Sequence, residues 1–164
     1  LNFICALSRL SNFFKMKIVV QRVSQANVEV EGEIVGKIEA GLMLLIGISE
    51  DDQKTDADWL IHKIINLRIF SDEDGKMNKS ILDIFGEILC ISQFTLLADY
   101  KKGNRPSFIK AAKPELAIPL FEYFKTKISE SKLKIESGIF GADMKVSLVN
   151  DGPVTIVLDS HTKL

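Results

Sequence analysis

The run from Gly41 to Ser49, GLMLLIGIS, carries no charge and is bounded by glycine and acids. A stretch this short and this continuously apolar reads as a strand buried on both faces, so other elements must cover it on each side. The segment Asp51 to Leu67 supplies one cover. It has an acid-rich start suited to a helix N-terminus, then Ala57, Leu60, Ile61, Ile64, Ile65 and Leu67 at helical spacing. A second helical pattern runs from Lys113 to Ser131, with Leu116, Leu120, Phe121, Phe124 and Ile128 on one stripe. Pro114 suits a first turn, whereas Pro119 removes an interior bond, so the regular helix is expected to start nearer Leu116.

The remaining segments read as strands. KIVVQRV (Lys17 to Val23) is rich in β-branched residues, and ANVEVEGEIVGKI alternates around Glu31-Gly32-Glu33 as a hairpin. DEDGKMN (Asp72 to Asn78) reads as a loop, and EILCISQFTLLA (Glu87 to Ala98) as a second buried strand. KLKIES, KVSLV and VTIVL close the chain as three more strands, with the turn formers NDGPVT at 150–155 between the last two. The order β-β-β-β-α-β-α-β-β-β implies an α+β fold: mixed, largely antiparallel sheets with two helices packed on one face, in β/β/α layers.

With 164 residues, the chain is long enough for one core and short for two, and 46% apolar with 26% charged residues is ordinary for a folded globular domain. The net charge of −1 argues against a protein that coats nucleic acid along its backbone. Cys5 and Cys90 stand far apart without CxxC spacing, which favours reduced thiols and a cytoplasmic setting; Cys90 in EILCIS reads as a small core residue. Residues 1–15 are expected to be an extension upstream of the domain, which would then span 16–164. Their apolar stretch is interrupted by Ser8 and Arg9, is too short to cross a membrane, and lacks the basic start of a secretory signal.

The chemistry available is sparse. His62 and His161 stand outside any motif, and there is no His/Cys/Asp cluster at metal spacing, no Walker loop and no GxGxxG, so no metal and no cofactor are implied. Polar residues interrupt the second buried run at Ser92, Gln93 and Thr95; they either satisfy local backbone or serve a ligand. YKKGNRPSFIKAAK places Lys101, Lys102, Arg105, Lys110 and Lys113 together with no acid from 101 to 113. That segment is either a solvated loop or a phosphate-contacting patch, with Phe108 nearby to stack on a base. Gly152-Pro153 either closes a hairpin or has a reason to put proline beside a strand.

Taken together, SQFT at 92–95, KKGNRPSF at 101–108 and NDGPVT at 150–155, after an opening MKIVVQRV at 16–23, resemble the D-aminoacyl-tRNA deacylases, also called D-tyrosyl-tRNA deacylases. The resemblance runs from Met16 to about Ser160. It implies a cytoplasmic homodimer that binds the acceptor end of tRNA and hydrolyses the ester between a D-amino acid and the terminal adenosine, and that also clears glycine mischarged on alanine tRNA. It implies a cis Gly152-Pro153 peptide whose carbonyls reach into the partner subunit's pocket, braced by Arg22. Ser92, Gln93, Phe94 and Thr95 then form the catalytic segment, with backbone N–H groups around Phe94 and Thr95 as oxyanion donors. Phe140 and Met144 line the adenosine or substrate pocket, and Lys101, Lys102, Arg105 and Lys110 hold the tRNA.

Two other functions fit the same residues. One is a small-molecule esterase with Thr95 or Ser92 as covalent nucleophile, although no activating base is evident. The other is a non-catalytic module that binds RNA ends, suggested by the basic segment without a general base.

Overall fold

A computed structural model describes residues 15–101 and 103–162 of the chain. The eight strands and two α-helices follow one another as β1 (Lys17–Val30), β2 (Glu33–Ile38), β3 (Gly41–Gly47), α1 (Lys54–Asn66), β4 (Phe70–Ser71), β5 (Met77–Lys79), β6 (Glu87–Ser92), α2 (Pro114–Ser129), β7 (Ile135–Ser137) and β8 (Lys145–Asp159). A 3-10 turn, Phe94–Leu97, follows β6. The expectation for residues 1–15 falls almost wholly outside the described part.

The α+β class holds, and the sheet is mixed. β1 pairs antiparallel with β3 through its first half and with β2 through its second, while β8 runs antiparallel along its other edge. β3, β6 and β7 are mutually parallel neighbours. β2 curls back toward β7, where Lys134 Nζ donates to the Lys37 carbonyl at 3.2 Å, so the sheet is nearly closed.

Both faces of the central strands are buried, as the uncharged runs require. Leu42, Leu44, Ile46, Ile88 and Cys90 meet the helices, packing on Leu60, Ile64, Phe121 and Phe124. Met43, Leu89 and Ile91 point the other way, into a second core with Val23, Val28 and Ile38. Burial pushes the Cys90 thiol up to about 12, so it stays protonated as an inert core residue.

Several expected boundaries shift. Residues 17–23 and 26–30 form one strand, because irregular pairing between Gln21 and Gln25 turns Ser24 and Gln25 to solvent instead of ending the ladder. The hairpin at Glu31-Gly32 is as expected, with both residues at positive φ (52° and 86°). DEDGKMN is not all loop, since Met77 and Asn78 belong to β5, which pairs with β4. Of KLKIES only Ile135–Ser137 is strand, and KVSLV and VTIVL are parts of one strand, β8. The last helix begins at Pro114 rather than near Leu116. Pro119 is tolerated because it and Glu115 both face solvent, where water can satisfy the carbonyl left without its N–H. The same helix buries Ala117 and leaves Leu116 41% exposed, moving the apolar stripe by one position.

Asp52 ties three elements together. Its two carboxylate oxygens accept from the Met16 N–H (2.8 Å) and the Ser49 N–H (2.6 Å), joining the start of β1 to the end of the β3 segment just before α1. Asp56, close by, accepts from the Gln53 N–H at the helix start. Burial is the main cause that pushes the Asp52 carboxyl up to about 6, with the two backbone N–H groups opposing it. A carboxyl whose pKa is raised by folding binds its proton more tightly in the native state, so its contribution is greatest below the unfolded value near 3.8 and is lost as pH rises through about 6. The stability of the wild type relative to Asp52→Asn should therefore fall by roughly 2–3 kcal/mol between pH 4 and pH 7, measured by denaturant unfolding at each pH. A difference that stayed flat or grew over that range would refute the assignment.

Candidate active site

The segment NDGPVT is not a hairpin. β8 continues through it, yet Asn150 pairs with Val23 and Thr155 with Gln21, so four residues, 151–154, are extruded opposite the single residue Arg22. Each residue of the bulge is accounted for. Asn150 closes its neck, with Nδ2 donating to Thr155 Oγ1 (2.9 Å) and Oδ1 accepting from the Val154 N–H (3.3 Å). Arg22 Nε donates to the Asp151 carbonyl at 3.1 Å and lies 3.3 Å from its carboxylate. The same guanidinium donates through Nη1 to the Ile69 carbonyl, so Arg22 clamps the bulge to the loop before β4. The Gly152-Pro153 peptide is cis, as expected from the resemblance, and both residues are exposed. The Arg22 side chain, in contrast, is only 11% exposed.

The second constellation lies at the end of β6. SQFT is not strand throughout: β6 stops at Ser92 and the chain tightens into the 3-10 turn. The polar side chains are consequently not buried in a strand interior, since Ser92 and Gln93 are half-buried and Thr95 is exposed. Gln93 closes this turn through two backbone bonds, its N–H donating to the Ile46 carbonyl (2.7 Å) and its carbonyl accepting from the Leu96 N–H (3.2 Å). Phe94 and Thr95 are the first two residues of the 3-10 turn, so their N–H groups have no carbonyl within the turn to donate to. The Gln93 amide donates to Thr95 Oγ1 and fixes that hydroxyl.

This turn forms one wall of a cavity of about 250 Å³. Ser92, Gln93 and Phe94 line it together with Phe140 and Met144, and Ile46 and Ile91 contribute to its floor. Phe140 and Met144 also pack against the two cores, so they are cavity residues and core residues at once. No ionisable side chain lines this cavity among the described residues, which leaves no ligand set for a metal and no general base. Gly152, Pro153 and Arg22 do not line it either. The structure thus brings Ser92, Gln93 and Phe94 together with Phe140 and Met144, whereas Thr95 and the Gly-Pro bulge do not line the cavity.

The basic segment forms a loop beside the cavity. Asp99 and Ser107 exchange two backbone hydrogen bonds of 2.8 Å and close it at its base. Lys101 and Arg105 are exposed on it, whereas Lys110 lies 3.5 Å from Glu50. Lys102 falls outside the described residues. Residues 110–112 also dock on the Asp52-held loop, where the Ala112 N–H donates to the Ile48 carbonyl at 2.8 Å. Sequence reasoning missed Ala112 and Ala117, which line the cavity because their small side chains leave it open; a lone alanine carries no pattern that would point to this.

Gly152 sits at φ +118°, and a Cβ added there would lie 2.6 Å from Arg22 Nη2. Gly152→Ala is therefore strained by its backbone and pushes the clamping guanidinium aside. We expect a loss of about 1–3 kcal/mol in urea unfolding, from φ strain and weakened charged hydrogen bonds. A variant as stable as the wild type would show that the clamp is not closed in solution.

Comparison with known proteins agrees with this geometry. The family model described as D-Tyr-tRNA(Tyr) deacylase matches residues 19–159. A D-aminoacyl-tRNA deacylase of Flavobacterium psychrophilum is 58% identical over 149 residues, covering 90% of this chain and 99% of that protein. Among solved structures, the c-Myc DNA Unwinding Element Binding Protein superposes with a TM-score of 0.82 at 44% identity, covering 87% of this chain and 97% of the other. A probable eukaryotic D-amino acid tRNA deacylase shares the fold, with a TM-score of 0.77 at 16% identity over 88% of this chain and 98% of that one. With both motif segments inside the matched span, the chain belongs to the D-Tyr-tRNA(Tyr) deacylase family.

Proposed function

We propose that the protein is a D-aminoacyl-tRNA deacylase that hydrolyses the ester between a D-amino acid and the terminal adenosine of tRNA, acting as a cytoplasmic homodimer. The observation that carries this reading is a separation. The cavity beside Ser92, Gln93 and Phe94 holds no ionisable side chain, and the exposed Gly152-Pro153 bulge does not line it. A bulge held this firmly by Arg22 and Asn150 is a rigid tool without a target on its own chain. A second copy supplies the target. Among the described strands β8 pairs with β1 alone, and Val149 and Val157 stand 48% and 66% exposed on it, which suits a symmetric contact.

In this arrangement the carbonyls of Gly152 and Pro153 accept from the substrate's α-amino group, and the N–H groups of Phe94 and Thr95 receive the ester oxygen as it becomes an oxyanion. A donor in that role contributes about 3–4 kcal/mol to lowering the barrier in comparable sites. With amino group and carbonyl both placed, the substituents on Cα have one arrangement left. The side chain of a D-residue points outward, and that of an L-residue runs into the bulge. Rejection is steric and comes from backbone, so it is indifferent to which D-residue is present. Glycine has nothing to clash, and hydrolysis of glycine mischarged on alanine tRNA follows from the same geometry.

The nucleophile is water. Thr95 Oγ1 already accepts from Gln93 and no ionisable side chain lines the cavity among the described residues to take its proton; the 2′-hydroxyl of the terminal ribose assists the water in this reading. Incubation with matched D- and L-aminoacyl-tRNA tests the whole reading. The D-ester should be cleaved faster by on the order of 10³ or more, the ratio a steric penalty of about 4 kcal/mol gives. Thr95→Ala should keep kcat/KM within about tenfold of wild type, whereas abolished turnover in a folded variant would favour a covalent threonine nucleophile. Binding of both esters without hydrolysis of either would mark a non-catalytic module.

Only the acceptor end has to be held, in keeping with a net charge of −1 and the exposed basic residues Lys101 and Arg105. The logarithm of tRNA affinity against that of salt concentration should have a slope of about −2 to −3, the release expected from a few phosphates. A slope of −6 or steeper would require a contact surface that the charge distribution does not offer.

A further inference from the structure

We infer that the ring pair Phe94 and Phe108, at the rim of the cavity, is a stacking platform for the base of the nucleotide that precedes the terminal adenosine; this rests on the cavity being the aminoacyl-adenosine pocket. Phe94 lines the cavity and yet is 56% exposed, an unusual state for a phenylalanine beside a largely apolar wall. Its ring meets Phe108 edge to face, with centroids 5.1 Å apart and planes at 77°. Phe108 does not line the cavity. The pair therefore extends the aromatic surface from the pocket wall to the outside.

The basic loop rises from the same place. Phe108 directly follows Ser107, whose N–H and carbonyl bond Asp99, and Asp99 lies two residues past the end of the 3-10 turn that begins with Phe94. The exposed Lys101 and Arg105 are thus carried on a loop whose two feet stand beside the turn bearing Phe94 and beside Phe108 itself. A polynucleotide leaving the pocket toward these cations crosses the ring pair. The order it would meet is adenosine in the pocket, then a phosphodiester drawn to the loop, then a base over the rings. Single-stranded RNA ends are recognised by this combination of unstacked bases on aromatic faces and phosphates on cations. The contact reads no hydrogen-bonding edge, so it accepts any base at that position.

Three esters of the same D-amino acid test this: 3′-aminoacyl adenosine, the corresponding cytidylyl-adenosine dinucleotide, and a dinucleotide whose 5′ residue lacks its base. The dinucleotide with the base should be hydrolysed with kcat/KM on the order of tenfold above the abasic one, the gain that stacking of one base gives. Phe108→Ala should bring that ratio close to one and leave the adenosine ester unchanged, and Phe108→Trp should retain it. Equal rates for the base-bearing and abasic dinucleotides in the wild type would overturn the inference, as would an equal loss on all three substrates in Phe108→Ala. Should that variant fail to fold, the wild-type comparison and Phe108→Trp decide the matter. Cleavage of all three esters at one rate removes the platform alone, and cleavage of none removes the proposed function with it.

Discussion

The structure turns on the pairing of β1 with β8, which runs almost the full length of both strands and gives way at Ser24 and, with four residues extruded, opposite Arg22. A strand with neighbours on both sides could not release four residues from its ladder without stranding donors and acceptors on each side. Among the described strands β8 has β1 as its one neighbour, so the extruded residues have solvent in front of them and one guanidinium behind. Proline suits such a place because it has no N–H to leave unpaired. Arg22 suits it as well, because a forked cation can bond two separate carbonyls at once, those of Asp151 and Ile69, which a lysine ammonium on a flexible stem does less rigidly. The strength of these charged bonds, roughly 1.5–3 kcal/mol each, is enough to hold one loop conformation against thermal motion.

The buried runs at Gly41–Gly47 and Glu87–Ser92, the two helices and the hairpin at Glu31-Gly32 were legible from hydrophobic period and turn chemistry, because packing on two faces leaves no other use for such residues. Where the reading failed, local pattern was overruled by longer-range pairing. Ser24 and Gln25 look like a break, yet β8 carries β1 straight past them. Asn150 to Pro153 look like the tip of a hairpin, yet β1 continues on the far side and turns the tip into a bulge. Thr95 looks like a strand residue because LLA follows it, but the 3-10 turn places Leu97 in the core and Thr95 in solvent. The site was legible only through whole motifs. No single residue in SQFT or NDGPVT has chemistry that would single it out, since the groups that matter there are largely main-chain atoms.

On the proposed function, a site with no ionisable wall places unusual demands on the rest of the protein. It would not tune a pKa to make a nucleophile, and rate would come from placing water, ribose hydroxyl and ester together and from N–H donors fixed before the substrate arrives. The Phe94 and Thr95 N–H groups are fixed in this way by the bonds of Gln93 to Ile46 and Leu96. The 110–112 segment is anchored through the loop that Asp52 holds, which connects a buried carboxylate outside the cavity lining with the position of Ala112 on its wall. Rigidity is thereby supplied from outside the cavity by backbone hydrogen bonds.

On the proposed reading, that division also explains why selection by handedness needs two subunits. A gate built on the same strand as the cavity it guards would move whenever the cavity opened to admit an adenosine. Here the bulge is clamped to β1 and the loop before β4, and the cavity opens between the β6 turn and the segment carrying Phe140 and Met144. Each copy can therefore let its pocket adjust to a substrate without disturbing the bulge it lends to its neighbour. The discrimination between D and L then depends on the stiffness of one set of atoms and the entry of substrate on the compliance of another, which a single rigid pocket could not provide together.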